Sequence, residues 1–206
     1  MAGVKKTKYG SRMKRPLPTV LAVLLLFSSG LKECGEASYP RPEGYVRVDY
    51  PERSYVSYDE QQAYRFELPA YARVSPSHSK GAEPGWIDIQ IPPLNATIHL
   101  SYKPVENNLT RFITDSRTLA YKHTVKAAGI DEKPFMDPEN KRFGMVYELK
   151  GDVASALQFF VTDSTDHFLR GSLYFNCAPN RDSLNPVIGF LQEDIMHLIN
   201  TLEWKY

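Results

Sequence analysis

Strict alternation of apolar and polar side chains marks residues 86–102. Trp86, Ile87, Asp88, Ile89, Gln90 and Ile91 alternate, Pro92 and Pro93 interrupt, and the pattern resumes from Ala96 to Tyr102 with Ile98, Leu100 and Tyr102 on one side. A period of two with Asp88, Gln90, Thr97, His99 and Ser101 opposite predicts an antiparallel hairpin with one buried and one more exposed face. His99 falls on the polar face, as a solvated or partner-facing side chain. Three richer runs follow, Phe143–Leu149, Ala156–Thr162 and His167–Asn176, separated by Gly151-Asp152 and by Asp163-Ser164-Thr165-Asp166. Their Val, Phe, Leu and Tyr content predicts a strand meander at the centre of the sheet.

Weaker signals surround these. Tyr45–Tyr50 reads as a first short strand ended by Pro51, Tyr64–Leu68 and Tyr71–Val74 as a short strand pair, and Ser75–Gly85 as a surface loop. Ile130–Phe135 is a connecting segment or a short edge strand. Tyrosine recurs at 39, 45, 50, 55 and 58, which fits rings packing a strand onto the domain or, alternatively, a partner-binding strip.

Two segments carry helical spacing. From Asn107 or Asn108, either of which could cap, Leu109, Phe112, Ile113, Leu119, Ala120, His123 and Ala127 form one stripe, interrupted by Ser116 and Arg117 and stopped at Gly129. Arg111 and Asp115 are spaced to pair on its outer side. From about Leu184 to Leu202, Val187, Ile188, Leu191, Ile195, Leu198, Ile199 and Leu202 form the other stripe, with Asp182 or Ser183 as cap, Pro186 in the first turn, and Glu193 and Asp194 on the wet side. The elements define an α+β class: a single antiparallel β-sheet flanked by two long helices. Their order resembles a PsbP/Mog1-like sandwich.

The amino terminus changes the setting. Lys5, Lys6, Lys8, Arg12, Lys14 and Arg15 precede an apolar run from Leu17 to Phe27, then Ser28, Ser29, Gly30 and Cys34. That layout is a bacterial export signal, with Met13 as an alternative start. Pro16–Leu31 would span roughly 24 Å as a helix, short of the roughly 30 Å hydrocarbon core. Residues 1–33 are therefore assigned to a lipoprotein-type signal, 34–44 to an extended tether rich in proline, and 45–206 to one α+β domain. Cys34 stands where a lipid-modified cysteine would, although Lys32 and Glu33 are unusual before it. Cleavage after Gly30 would instead leave a soluble periplasmic protein.

Charge sharpens this. The chain has 25 basic and 24 acidic residues, of which seven basic and one acidic fall in residues 1–34, so the remainder has 18 against 23, a net −5. Such a balance excludes a nucleic-acid surface as the expected partner. A lipidated Cys34 leaves Cys177 alone, a half-buried spectator after Phe175 and Asn176, and no Cys/His spacing suits structural zinc.

Chemistry is sparse. Thr162 to His167 contains the parts of a hydrolytic triad, but neighbours on one tight turn cannot form an ordered nucleophile, base and orienter, and Asp and Ser there fit backbone-bonding turn residues. A cation at Asp163 and Asp166 would lack oxygen ligands. His78, His123 and His197 fall on separate elements.

Longer segments carry a resemblance: YPRPEGYVRVDYP (39–51), NATIHLSYKPVENNL (95–109), DSRTLAYKHTVKA (115–127), GDVASALQFFVTDSTDHFLRGSLYFN (151–176) and DSLNPVIGFLQEDIMHLINTLEWK (182–205). Over residues 39–206 the chain resembles the gliding-motility lipoprotein GldD family of the Bacteroidetes. The resemblance implies an accessory lipoprotein of the cell-envelope gliding and type IX secretion machinery. It would be anchored through an acylated Cys34 to the inner or outer membrane and face the periplasm. It implies other envelope proteins as partners, with no enzymatic activity and no cofactor. The residues it singles out are Asp115, Arg117, Tyr121, His123, Asp163, Ser164, His167 and Arg170. They form a docking patch, or else Arg117 and Arg170 pair with carboxylates such as Asp115 and Asp163 to fix helix on sheet. The rival is a soluble periplasmic ligand-binding or hydrolytic domain with a pocket between the first helix and the 163–170 turn. It requires His123 or His167 beside a carboxylate and a hydroxyl.

Overall fold

A computed structural model describes residues 48–60, 63–122, 128–178 and 180–206. The export signal, Cys34, the tether, residues 45–47 and His123 lie outside the described residues. The elements are β1 (Tyr55–Tyr58), β2 (Tyr64–Pro69), β3 (Arg73–Pro76), β4 (Ile87–Ile91), β5 (Ala96–Pro104), α1 (Leu109–Tyr121), β6 (Gly129–Asp137), β7 (Arg142–Lys150), β8 (Ser155–Thr162), β9 (His167–Phe175), α2 (Arg181–Thr201) and β10 (Glu203–Trp204). The predicted hairpin is β4–β5, with Asp88 opposite His99 and Ile89 opposite Ile98, and a 3-10 turn at Pro92–Leu94 joins its strands. The meander is β7–β8–β9.

The expected single sheet is instead two. Seven antiparallel strands run in the order β3-β4-β5-β9-β8-β7-β6, and a three-stranded sheet runs β1-β2-β10. Residues 64–68 and 71–74 do not pair with each other. A turn in which the Ala72 N–H donates to the Pro69 carbonyl (2.8 Å) redirects the chain, so β3 joins β4 while β2 pairs with β1. The tail after α2 adds β10, Trp204 opposite Tyr64. Residues 48–50 are not a strand, and the first described strand begins at Tyr55. The 130–135 segment is a full edge strand of nine residues, β6, which tolerates Pro134 because one side of its ladder is unpaired.

Each face of the large sheet has its own helix. On one, Ile89, Ile98, Leu157, Phe159, Leu169 and Leu173 are buried in a cluster with Leu191, Ile195 and Leu198 of α2 and with Phe66 of the small sheet. On the other, Tyr147, Leu149, Phe160 and Phe168 pack with Phe112, Ile113 and Ala120 of α1. Fully burying a side chain of this size contributes about 1.5–3 kcal/mol.

Helix details depart from expectation in instructive ways. In α1 it is Ser116 that is buried (3% exposed) and Leu119 that is open (38%), so the polar interruption sits on the sheet side of the stripe. Asn108 caps through its carbonyl, which accepts from the Arg111 and Phe112 amides, while its side chain accepts from the Glu106 amide. Arg111 does meet Asp115, at 3.7 Å. The cap of α2 is Asn180, whose side chain accepts from the Ser183 amide at 3.3 Å, so the helix starts earlier than predicted and Pro186 lies beyond its first turn. At the other end the buried Arg142 donates to the carbonyls of Ile199 (3.3 Å) and Asn200 and pairs with Asp137, placing positive charge on the negative pole of the helix.

Asp194, expected on the wet side of α2, is 2% exposed. It accepts from the hydroxyls of Tyr55 (2.9 Å) and Tyr71 and faces the Arg53 guanidinium at 3.3 Å. The neighbouring rings are packed too: Tyr50 stacks on Phe190 at 4.5 Å, Tyr55 on His197 at 3.6 Å, and Tyr58 lies 5.2 Å from Phe66. Tyrosines 50, 55 and 58 thus pack strand and approach onto the domain, while 39 and 45 lie outside the described residues.

This cluster predicts an alkaline limit to stability. Burial, and next the hydrogen bond to Asp194, push the Tyr55 phenol up to about 12, and the same causes raise Tyr71. An unfolded tyrosine ionises near 10. Between about pH 10 and 12 the unfolded chain releases protons that the folded chain retains, so stability is full below this window and falls as pH rises through it. Urea midpoints measured from pH 9 to 12 should decline, with a shallower decline in Tyr55→Phe/Tyr71→Phe. Equal slopes in both proteins would contradict the assignment.

Candidate functional site

α1 is short relative to the sheet it covers, and it packs on β8 and β9. Beyond it the same sheet face remains polar, and a cavity of about 510 Å³ opens between α1 and strands β5 and β9. Alternation explains its floor: Phe168, Arg170, Ser172 and Tyr174 are every second residue of β9, and His99, Ser101 and Lys103 every second residue of β5. Trp86, Phe112, Leu119 and Phe168 supply apolar wall.

Arg170 lies within this cavity. Its guanidinium donates to Gln158 Oε1 at 2.6 Å, and Gln158, 1% exposed, has no partner for its own Nε2 among the described residues. Burial lowers the Arg170 pKa, which the Tyr174 and Tyr147 rings only partly offset. The carboxylate pairing proposed for Arg170 with Asp163 is not formed: a neutral amide holds it. Asp115 lines the same cavity and pairs with Arg111 rather than with Arg117. Arg117 reaches across to Glu132 of β6 at 3.3 Å, and the Tyr121 hydroxyl donates to the same carboxylate at 2.8 Å. His99 gains a partner that strand register implies but composition alone does not show: its Nδ1 is 2.8 Å from Asp88 directly across the hairpin.

The β8–β9 turn is built as a turn. Asp163 Oδ1 accepts from the amides of Thr165 (3.0 Å), Asp166 (2.9 Å) and His167 (2.9 Å), and Ser164 takes a left-handed φ of 72°. Burial alone would raise the Asp163 carboxyl, but these backbone donors, helped by His167, outweigh it and hold the pKa below the usual value. The His167 ring is 2.8 Å from the Tyr102 hydroxyl through Nδ1 and stacks on Trp204, centroids 5.0 Å apart. Its buried Nε2 has no partner among the described residues, and desolvation lowers its pKa against the opposing pull of Asp163 and Asp166. The imidazole therefore meets a phenol and an indole, not the carboxylate and nucleophile that a triad needs.

The selected residues thus occupy three places. Asp115 and Arg170 share the cavity, Arg117 and Tyr121 gather on Glu132, and Asp163, Ser164 and His167 form the turn. Among the described residues no group of three His, Cys, Asp or Glu could hold a metal ion, and no helix is long and apolar enough to cross a membrane. Cys177 is exposed rather than half-buried, because β9 ends at Phe175, before it.

These features define an antiparallel α+β domain with a polar-floored cleft between helix and sheet. Residues 35–204 match the family "Gliding motility lipoprotein GldD", and the chain belongs to that family. No curated protein matches it. Among solved structures it is similar to the solution structure of cyanobacterial PsbP (CyanoP) from Synechocystis sp. PCC 6803. That likeness has a TM-score of 0.43 at 12% identity, over 75% of this chain and 94% of that one.

Proposed function

We propose that this chain is a membrane-anchored accessory component of the gliding and type IX secretion machinery, held by acyl chains on Cys34 and acting through protein contacts rather than catalysis. The observation that carries this reading is family membership over residues 35–204, immediately downstream of a cysteine at the end of an export signal. Supporting it, α1 and the edge strand β6 present a mixed surface: Arg117 and Tyr121 around Glu132, with Met136, 74% exposed, on the same side of β6. Exposed Tyr, Met and Arg are the side chains that partner interfaces favour. An edge strand also offers unpaired backbone groups to another chain.

The expected result is a mature protein whose mass begins at Cys34 with added acyl chains and which fractionates with membranes. Cys34→Ala should accumulate outside the membrane fraction and fail to support gliding. An unmodified mature mass beginning near Lys32, with both proteins soluble, would overturn the anchor and favour a free periplasmic domain.

A further inference from the structure

The cavity under α1 has a charge arrangement that the docking reading does not use. Four charged side chains line it. Lys103 pairs with Glu83 and Arg111 with Asp115, so the half-buried Arg170, held by a neutral amide, is the cation left without a counter-charge among the described residues. An uncompensated charge away from bulk water is costly unless an anion meets it. Around it, Ser116 and Ser172 line the cavity and are 3% and 4% exposed. Ser101 makes a single long contact, 3.4 Å to the Arg170 carbonyl. Pairable hydroxyls and one guanidinium fork lie at the base, and Trp86, Phe112, Leu119 and Phe168 rise beside them.

We propose that this cavity binds a small organic monocarboxylate with an apolar body, its carboxylate on Arg170 and the serine hydroxyls, its body against the aromatic and leucine wall. A guanidinium presents paired N–H donors that match the two oxygens of a carboxylate. Its volume of about 510 Å³ lies within the range of small-molecule sites. Single charge matters: the one cation without a counter-charge among the described residues balances a carboxylate, whereas a phosphate monoester would bring a second negative charge toward Asp115, which lines the same space. This inference stands on residues other than Cys34 and the β6 surface, so it survives or fails independently of the anchor and of docking.

The test is isothermal titration of the full chain in detergent solution with phenylacetate, alongside 2-phenylethanol, phenyl phosphate and inorganic phosphate, with Trp86 fluorescence as a second readout. Phenylacetate is expected to bind saturably and the neutral alcohol at least about tenfold more weakly, since a charge-assisted pair is lost. Arg170→Gln, checked for folding by circular dichroism, should weaken phenylacetate by a similar factor. If that variant does not fold, Leu119→Glu at the exposed rim serves instead: both probes lose the leucine contact, but only the acid meets the added carboxylate, so the acid should weaken by the larger factor. The proposal is overturned if no probe binds saturably, if the alcohol binds as well as the acid, or if the folded variant binds phenylacetate unchanged. Tighter binding of phenyl phosphate or inorganic phosphate would overturn the monocarboxylate assignment.

Discussion

Replacing Asp194 with alanine is expected to destabilise the fold by about 3 kcal/mol, at the lower end of what removing one partner of a buried ion pair costs. Three donors lose their acceptor at once: the Tyr55 and Tyr71 hydroxyls and the Arg53 guanidinium. The tyrosines are the costly part, because they are packed between the start of the domain and α2. Arg53 is 31% exposed at its side chain, also bonds Glu193 and the Phe190 carbonyl, and can rehydrate. Thermal unfolding should show a fall of roughly 6–12 °C, given about 2–4 °C per kcal/mol for a chain of this size. Asp194→Asn separates shape from charge. The amide oxygen still accepts from one tyrosine while the other must turn its hydroxyl to accept, so a loss of about 1 kcal/mol is expected. Equal stability of the alanine variant and the parent would show that the cluster holds nothing.

Asp194 also shows what the sequence could reveal and what it could not. Its neighbours in α2 obey helical spacing, and on that spacing an acidic residue beside Glu193 belongs outside. Tyr55 and Tyr71 arrive from segments more than 120 residues away, so no local period could mark the position as buried. The same limit governs Arg170. Alternation in β9 puts it on the face opposite Leu169 and Leu173, but that α1 stops short of covering that face depends on how strands from distant parts of the chain are ordered. Local signals did better. The 86–104 hairpin, the meander and both helices were readable because each is decided by contacts within a few tens of residues. The second sheet was not, since β10 follows a helix and has only two residues, Glu203 and Trp204, to declare itself. The three-way split of the selected residues is likewise a matter of tertiary distance, although the role of Asp163 in bonding its own turn was plain from residue type.

Gly144→Ala should be among the most disruptive single substitutions in the large sheet. Glycine within a strand usually weakens it, so its presence inside β7 asks for a reason. A Cβ built at Gly144 would sit 2.0 Å from the Phe160 carbonyl oxygen and 2.4 Å from Cζ of Phe135. Phe135 lies directly opposite on β6, its ring covering the bare backbone, and Phe160 belongs to β8, paired on the other side. The ring could swing aside, but the carbonyl is part of the ladder and cannot retreat without separating β7 from β8. Overpacking a well-filled core typically costs about 1–3 kcal/mol, and a backbone clash of this depth belongs at or above the top of that range. Gly129, at the start of β6, is the internal control: a Cβ there meets nothing within 4 Å. Gly129→Ala should leave stability unchanged or raise it by about 0.4–1 kcal/mol by reducing the freedom of the unfolded chain. Chemical denaturation of the two variants side by side decides the matter. A Gly144→Ala protein as stable as Gly129→Ala would mean that β7 and β8 are not in the register that sets Gly144 opposite Val161 and brings the Phe160 carbonyl against it.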